Sequence, residues 1–192
     1  QFVGRRKHRD PPIADALRFS VLSGTTMGND IRYMPEKLEQ ASNFANKIWN
    51  AAKFIIMNTP NEEKVKEYCH KVYNHDTKTY NPELLTIEDK WILNKLDKLV
   101  VDITRNIENY DLGIALDKIY NFIWNEFCDW YIEMVKPRLY NEDDKTRKAA
   151  LWTLKTVLIS ALKLLHPYMP FITEEIYTHL PTVEGSIVIA QF

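Results

Sequence analysis

Apolar residues recur every three or four positions along most of the chain, the pattern of helices buried on one side. From Pro35 to Asn58 no glycine or further proline intervenes and alanine recurs, which predicts one long helix. Trp91, Leu93, Leu96, Leu99, Val100, Ile103 and Ile107 keep helical spacing up to Tyr110. Thr86 and Asp89 form an acidic variant of a capping box at the start of that helix. Asp111 is placed to cap the next one. Its apolar positions (Ile114, Leu116, Ile119, Phe122, Ile123, Phe127, Trp130 and Tyr131) make a wide face that ends before Pro137. Asn141 and Glu142-Asp143-Asp144 suit the positive N-terminus of a further helix. It runs through Leu151, Leu154, Leu158, Leu162 and Leu165 to His166, where Pro167 stops it. Shorter elements complete the series. Asp10-Pro11-Pro12 opens a first helix that continues to Ser23 and ends at Gly24. Phe171 to Leu180 forms a last helix behind Pro170, and the tail from Ser186 to Phe192 predicts one extended strand.

Helices of about 20 residues with short connections predict an all-α fold, an antiparallel helical bundle with a short extended tail at its C-terminal end. Gly24 to Met34 reads as an ordered loop. Asn58 to Pro82, punctuated by Thr59-Pro60-Asn61, Asn74-His75-Asp76 and Asn81-Pro82, reads as a surface excursion containing a short helix from Glu62 to Tyr73. The expected organisation is a basic leader at 1–12, a bundle at 13–181 with its excursion at 59–82, and an extended tail at 182–192 leading to a further C-terminal region. The leader carries Arg5, Arg6, Lys7, His8 and Arg9 with no apolar stretch behind them, so it is not a secretory signal.

Composition narrows the function. A chain of 192 residues with 45% hydrophobic and 27% charged residues is large and apolar enough for one domain with its own core. A net charge of -1 carries no global footprint for nucleic acid, so any basic contact must be local. Cys69 and Cys128 make no disulfide framework and suit a reducing cytoplasm. No run approaches the ~18 apolar residues of a membrane span. Gly24 to Gly28 lacks the Lys-Ser or Lys-Thr of a phosphate loop, and no Gly-x-Ser-x-Gly elbow occurs. Glu67-Tyr68-Cys69-His70 is a single Glu-x-x-His, whereas a di-iron carboxylate bundle needs two, so no metal site is expected. His166 and His179 flank prolines or helix ends, where hydrogen bonding or the helix dipole explains them, and adjacent helical residues such as Glu174 and Glu175 do not face each other as an acid–base pair. No catalytic residues are expected.

The helix from Pro35 to Asn58 carries the most information. At about 100° per residue, Leu38, Ala41, Ala45, Ile48, Trp49, Ala52 and Ile56 fall on one stripe, the expected core face. Asn43, Lys47, Asn50 and Phe54 fall together roughly 180° away. A solitary exposed phenylalanine is ordinary, and the excursion after Asn58 is placed to cover it. The same four residues also match what an unstacked RNA base requires: an aromatic plane in Phe54, an amide for the base edge in Asn43 or Asn50, and a cation in Lys47. The alternative reading of the face is a helical protein-interaction module that meets another helix.

Longer motifs then bring a resemblance. Ala14-Asp15-Ala16-Leu17-Arg18-Phe19, Asn29-Asp30-Ile31-Arg32 and Asn43-Phe44-Ala45-Asn46-Lys47-Ile48-Trp49-Asn50-Ala51-Ala52-Lys53-Phe54 resemble the start of the anticodon-binding domain of the valyl-tRNA synthetase family. Glu126-Phe127-Cys128-Asp129-Trp130-Tyr131-Ile132-Glu133 and Lys136-Pro137-Arg138-Leu139 are similar to its later part, as is His166 to Tyr177. The last motif also suits isoleucyl relatives, while the Asn-Phe-Ala-Asn-Lys stretch favours valyl. The resemblance implies a class I synthetase bundle that grips the anticodon stem-loop of tRNA(Val) beside the catalytic domain of one parent chain. Lys47 and Phe54 match the family's anticodon contacts, with Asn43, Asn46 and Asn50 as neighbouring amides. The intact parent, a valine–tRNA ligase, would join valine to tRNA with ATP and Mg2+ in the cytoplasm. The fragment itself, lacking the His-x-Gly-His and Lys-Met-Ser-Lys-Ser signatures, is expected to bind RNA without cofactor, metal, membrane or DNA, and to be catalytically inactive.

Overall fold

A computed structural model describes residues 13–24, 33–59, 73–74, 79–80, 83–141, 143–181, 183 and 185–190. The basic leader, the motif Asn29 to Arg32, the expected helix from Glu62 up to Val72, Cys69 and the Glu67-x-x-His70 pair lie outside them. Seven α-helices are described: α1 (Ile13–Leu22), α2 (Pro35–Asn58), α3 (Ile87–Glu108), α4 (Leu112–Asn121), α5 (Ile132–Tyr140), α6 (Arg147–Leu165) and α7 (Pro170–Thr178). Tyr73, expected to end a short helix, instead pairs with Tyr80 in a two-residue antiparallel ladder, β1 (Tyr73–Asn74) with β2 (Thr79–Tyr80).

Helices α4 and α5 are one rod. A π-helical segment, Phe122–Tyr131, joins them without a break, and the N–H of Ile132 donates to the carbonyl of Phe127 five residues back. The rod also passes through Pro137, where the sequence predicts a stop. Proline removes one backbone donor, but tertiary contacts hold the last turn in place: Leu139 is buried and Arg138 is locked into an ion pair. The four rods α2, α3, α4–π–α5 and α6 enclose the core. Helix α6 contacts α2, α3, α4, α5 and α7, so it is apolar almost all round, with Ala149 to Lys155 and then Val157, Leu158, Ala161, Leu162 and Leu165 buried.

The turn between α3 and α4 is tight. Tyr110 adopts φ 61°, the N–H of Asp111 donates to the carbonyl of Asn106 at 2.8 Å and that of Tyr110 to Ile107 at 3.0 Å, the bonds that close a helix through a left-handed residue. Asp111 is the N-cap residue of α4, as expected, but its side chain makes no capping bond.

Buried polar groups tie the rods together. Asp89, fully buried, accepts from both terminal nitrogens of Arg138 at 2.9 Å, from the Tyr131 hydroxyl at 2.6 Å and from the N–H of Thr86 at 3.1 Å. The capping residue expected for α3 is therefore also the counter-ion of α5. Burial first, and the Asp89 carboxylate second, push the Tyr131 phenol well above its ordinary range, so it stays protonated and donates. Helix α1 acts as a clip. Asp15 accepts from the N–H groups of Phe171 and Ile172, capping α7 from outside, and Arg18 donates to the carbonyl of Pro167 at 3.0 Å.

The C-terminal tail is not the extended strand predicted. Ile187–Ile189 form a 3-10 turn, Ser186 accepts from the N–H of Val188, and the N–H of Ile187 donates to Glu174. Gly185, at φ 78°, supplies the reversal that lets buried Ile187 fold back onto α7.

Candidate nucleic-acid interface

The boundaries of α2 are those predicted, but its buried arc is not. Ala41, Phe44, Ala45, Ile48, Ala51, Ala52 and Ile55 are buried, whereas Leu38, Trp49 and Ile56 are only half-buried. By helical geometry the centre of burial is rotated by about 55° from the expected stripe. The rotation has a direct effect on the candidate site. Asn43, Asn46 and Asn50 remain opposite the core and are exposed. Lys47 and Phe54 come round to the flank and are half-buried against the rod α4–π–α5, which corrects their placement on the fully wet face.

At that flank the π segment supplies two groups the sequence reading omits. The Lys47 ammonium lies 2.6 Å from the Asp129 carboxylate and 3.8 Å from the centre of the Trp124 ring. An α-helix would point residues 124 and 129 about 140° apart. The wider π turn, with bonds from i to i+5, stacks residues five apart on one face, so both reach Lys47. Trp124 in turn stacks on Tyr120 at 5.6 Å between ring centres, and Tyr120 lies 4.8 Å from Phe44. Beside this ladder, a cleft of about 400 Å³ opens between α1, α2 and α4, lined by Phe19, Ser23, Gln40, Asn43, Asp117, Tyr120 and Trp124. Aromatic planes next to exposed amides are what a splayed base needs.

Further along the flank, the Lys136 ammonium lies 5.9 Å from the Phe54 ring centre and 2.5 Å from Glu133. Lys47 and Lys136 therefore each already hold a carboxylate. Cys128 of the same π segment is buried, and burial pushes its thiol up to about 12.

The sequence pattern of the family described as the anticodon-binding domain of tRNA ligase matches residues 89–192, more than half of the chain. The chain belongs to this family. Curated relatives extend the likeness across α2. The valine–tRNA ligase of Clostridium perfringens is 51% identical over 179 residues, covering 92% of this chain and 19% of the relative. That of Latilactobacillus sakei is 44% identical over 182 residues, with 93% and 19% covered. The chain thus spans about a fifth of the length of the curated relatives it matches. A crystal structure of the free methionyl-tRNA synthetase of Mycobacterium tuberculosis shares the fold, with a TM-score of 0.62 at 21% identity over 84% of this chain and 31% of that one.

Within this anticodon-binding domain, most of the motifs that carry the family likeness are structural. Asp15 and Arg18 of the first motif clip the α6–α7 turn. Arg138 of the Lys-Pro-Arg-Leu motif holds Asp89. His166 meets the Thr173 hydroxyl at 2.7 Å, and the Nδ1 of His179 donates to the carbonyl of Glu175, the structural roles read for both. Glu174 is occupied by the N–H of Ile187. The Asn43 to Phe54 motif turns three amides outward beside a half-buried phenylalanine, and the Glu126 to Glu133 motif exposes Asp129 and Trp130. No helix among the described residues is long and apolar enough to cross a membrane.

Proposed function

We propose that this domain grips the anticodon stem-loop of a valine tRNA on behalf of a valine–tRNA ligase. The observation that carries the proposal is the outward face of α2, where Asn43, Asn46 and Asn50 are exposed beside half-buried Phe54 and Lys47, in a chain whose relatives bear that enzyme name. In this reading a base unstacked from the loop lies on the Phe54 ring, and the asparagine amides meet base edges or ribose hydroxyls. The domain recognises tRNA in the cytoplasm, and the chemistry belongs to a catalytic domain of the same parent.

ATP and Mg2+ belong to that parent's chemistry. Among the described residues no three His, Cys, Asp or Glu side chains converge as a metal site. No catalytic step is assigned to this chain.

The test is a titration of the 192-residue chain with a hairpin RNA carrying the anticodon loop of a valine-accepting tRNA, against a hairpin with an unrelated loop. Saturable binding that favours the valine loop is expected. Equal affinity for both loops, or no binding, would overturn the proposal.

A further inference from the structure

Lys47 is the cation an RNA-binding reading of α2 depends on, yet its ammonium is already spent. Asp129 neutralises it at 2.6 Å, and Trp124 covers it at 3.8 Å. The next cation along the flank, Lys136, is likewise held by Glu133. A phosphate arriving at Lys47 would have to expel the Asp129 carboxylate or sit beside it, which like charges oppose. Lys47 and Lys136 are therefore poorly placed to take a phosphate.

What the flank offers instead is a fixed acceptor. Oδ1 of Asp129 accepts a hydrogen bond from the Lys47 ammonium, and Oδ2 makes no hydrogen bond among the described residues. The Asp129 side chain is 50% exposed, so Oδ2 is open to a ligand. Its position is set twice over, by the π turn that stacks it above Trp124 and by the lysine wedged between the two. An ionised carboxylate accepts and never donates. It favours a base edge with an exocyclic amino group and repels one with a carbonyl in the same place.

We propose that Asp129 is a specificity-determining residue of the RNA face, with Oδ2 accepting the exocyclic amino group of one unstacked adenine, cytosine or guanine and Lys47 acting through it as a positioning residue. The inference rests on the α2 face being the RNA surface. A hydrogen bond to a charged group at a half-exposed site corresponds to roughly tenfold in affinity.

The experiment changes the RNA rather than the protein first. The hairpin with the valine anticodon loop is made with each loop adenine or guanine replaced by hypoxanthine and each cytosine by uracil, one at a time, so that an amino group becomes a carbonyl or, in guanine, is removed. Binding to the 192-residue chain is then measured. One loop position is expected to lose roughly tenfold. In Asp129→Asn, whose amide both donates and accepts, the loss at that position should shrink to under about twofold, with other positions unchanged. Asp129→Ser is the second variant if the first does not fold. A wild-type chain indifferent to every loss of an amino group would overturn the proposal, as would an Asp129→Asn chain that keeps the wild-type ratios. If Phe54→Leu still binds weakly in that case, the RNA-face reading survives and the Asp129 role alone is lost. If Phe54→Leu and Lys47→Ala both bind like wild type, the face itself is wrong and the proposal falls with it.

Discussion

Phe54 is the residue on which packing and RNA binding compete for an explanation. Were it opposite the core, replacing it would change stability within about 0.5 kcal/mol. It is instead half-buried and packed on the core cluster, with the Lys136 ammonium 5.9 Å from its ring centre. Full truncation of a buried phenylalanine costs about 3–5 kcal/mol, so a half-buried one should cost about 2. Base stacking on the same ring is worth ~1–3 kcal/mol of binding. Phe54→Ala therefore perturbs both quantities and separates nothing by itself. Phe54→Leu does separate them, because leucine keeps most of the apolar contact and discards the aromatic plane. Its stability cost should stay below about 1.5 kcal/mol, while the binding loss should remain ~1–3 kcal/mol. Urea unfolding gives the first number and fluorescence anisotropy of a labelled anticodon hairpin gives the second, in one buffer. With a typical stability of about 5–15 kcal/mol, both variants stay folded during the titration. A Phe54→Leu chain that binds like wild type, beside a Phe54→Ala chain that loses about 2 kcal/mol of stability, would show that the ring only packs.

Three further outcomes follow from the same geometry. Lys47→Ala should change the slope of log affinity against log salt by well under one, because Asp129 already neutralises that ammonium, and should weaken anticodon discrimination instead; a slope change near ~1 would reveal a phosphate contact. Arg138→Ala leaves the Asp89 carboxylate buried without its two strongest donors, so unfolding should become easier by about 3–5 kcal/mol; at about 2–4 °C per kcal/mol the melting temperature falls by roughly 6–20 °C, and a drop under about 2 °C would contradict the assigned role. Burial raises the Asp15 carboxyl above its ordinary value despite the two N–H bonds it accepts, so the folded state binds that proton more tightly than the unfolded chain, and this contribution to stability must fall as pH rises from about 4. Urea midpoints of wild type and Asp15→Asn across that range should diverge in that sense, and parallel pH profiles would refute it.

Much of this domain was determined locally. The limits of α2, the Thr86–Asp89 start of α3, the stop at Gly24 and the proline-led start of α7 all follow from residues within a turn of the element they bound. So does the exposure of Asn43, Asn46 and Asn50, since no arrangement of neighbours would bury three unpaired amides cheaply. What local rules missed depended on partners far along the chain. Pro137 is a helix breaker by itself, but a helix end held by Leu139 in the core and Arg138 on Asp89 tolerates it. The tail reads as a strand from Ile187, Val188 and Ile189, but without a neighbouring strand it coils onto α7. On α2 the apolar arc is wide enough to bury in more than one direction. The rod α4–π–α5 settled which, drawing Lys47 and Phe54 to the flank. The site's remaining members were illegible for a geometric reason. Trp124 and Asp129 diverge under α-helical spacing and converge only when the backbone widens to π bonding, a choice made by packing around the rod and not by residues 124–129 themselves.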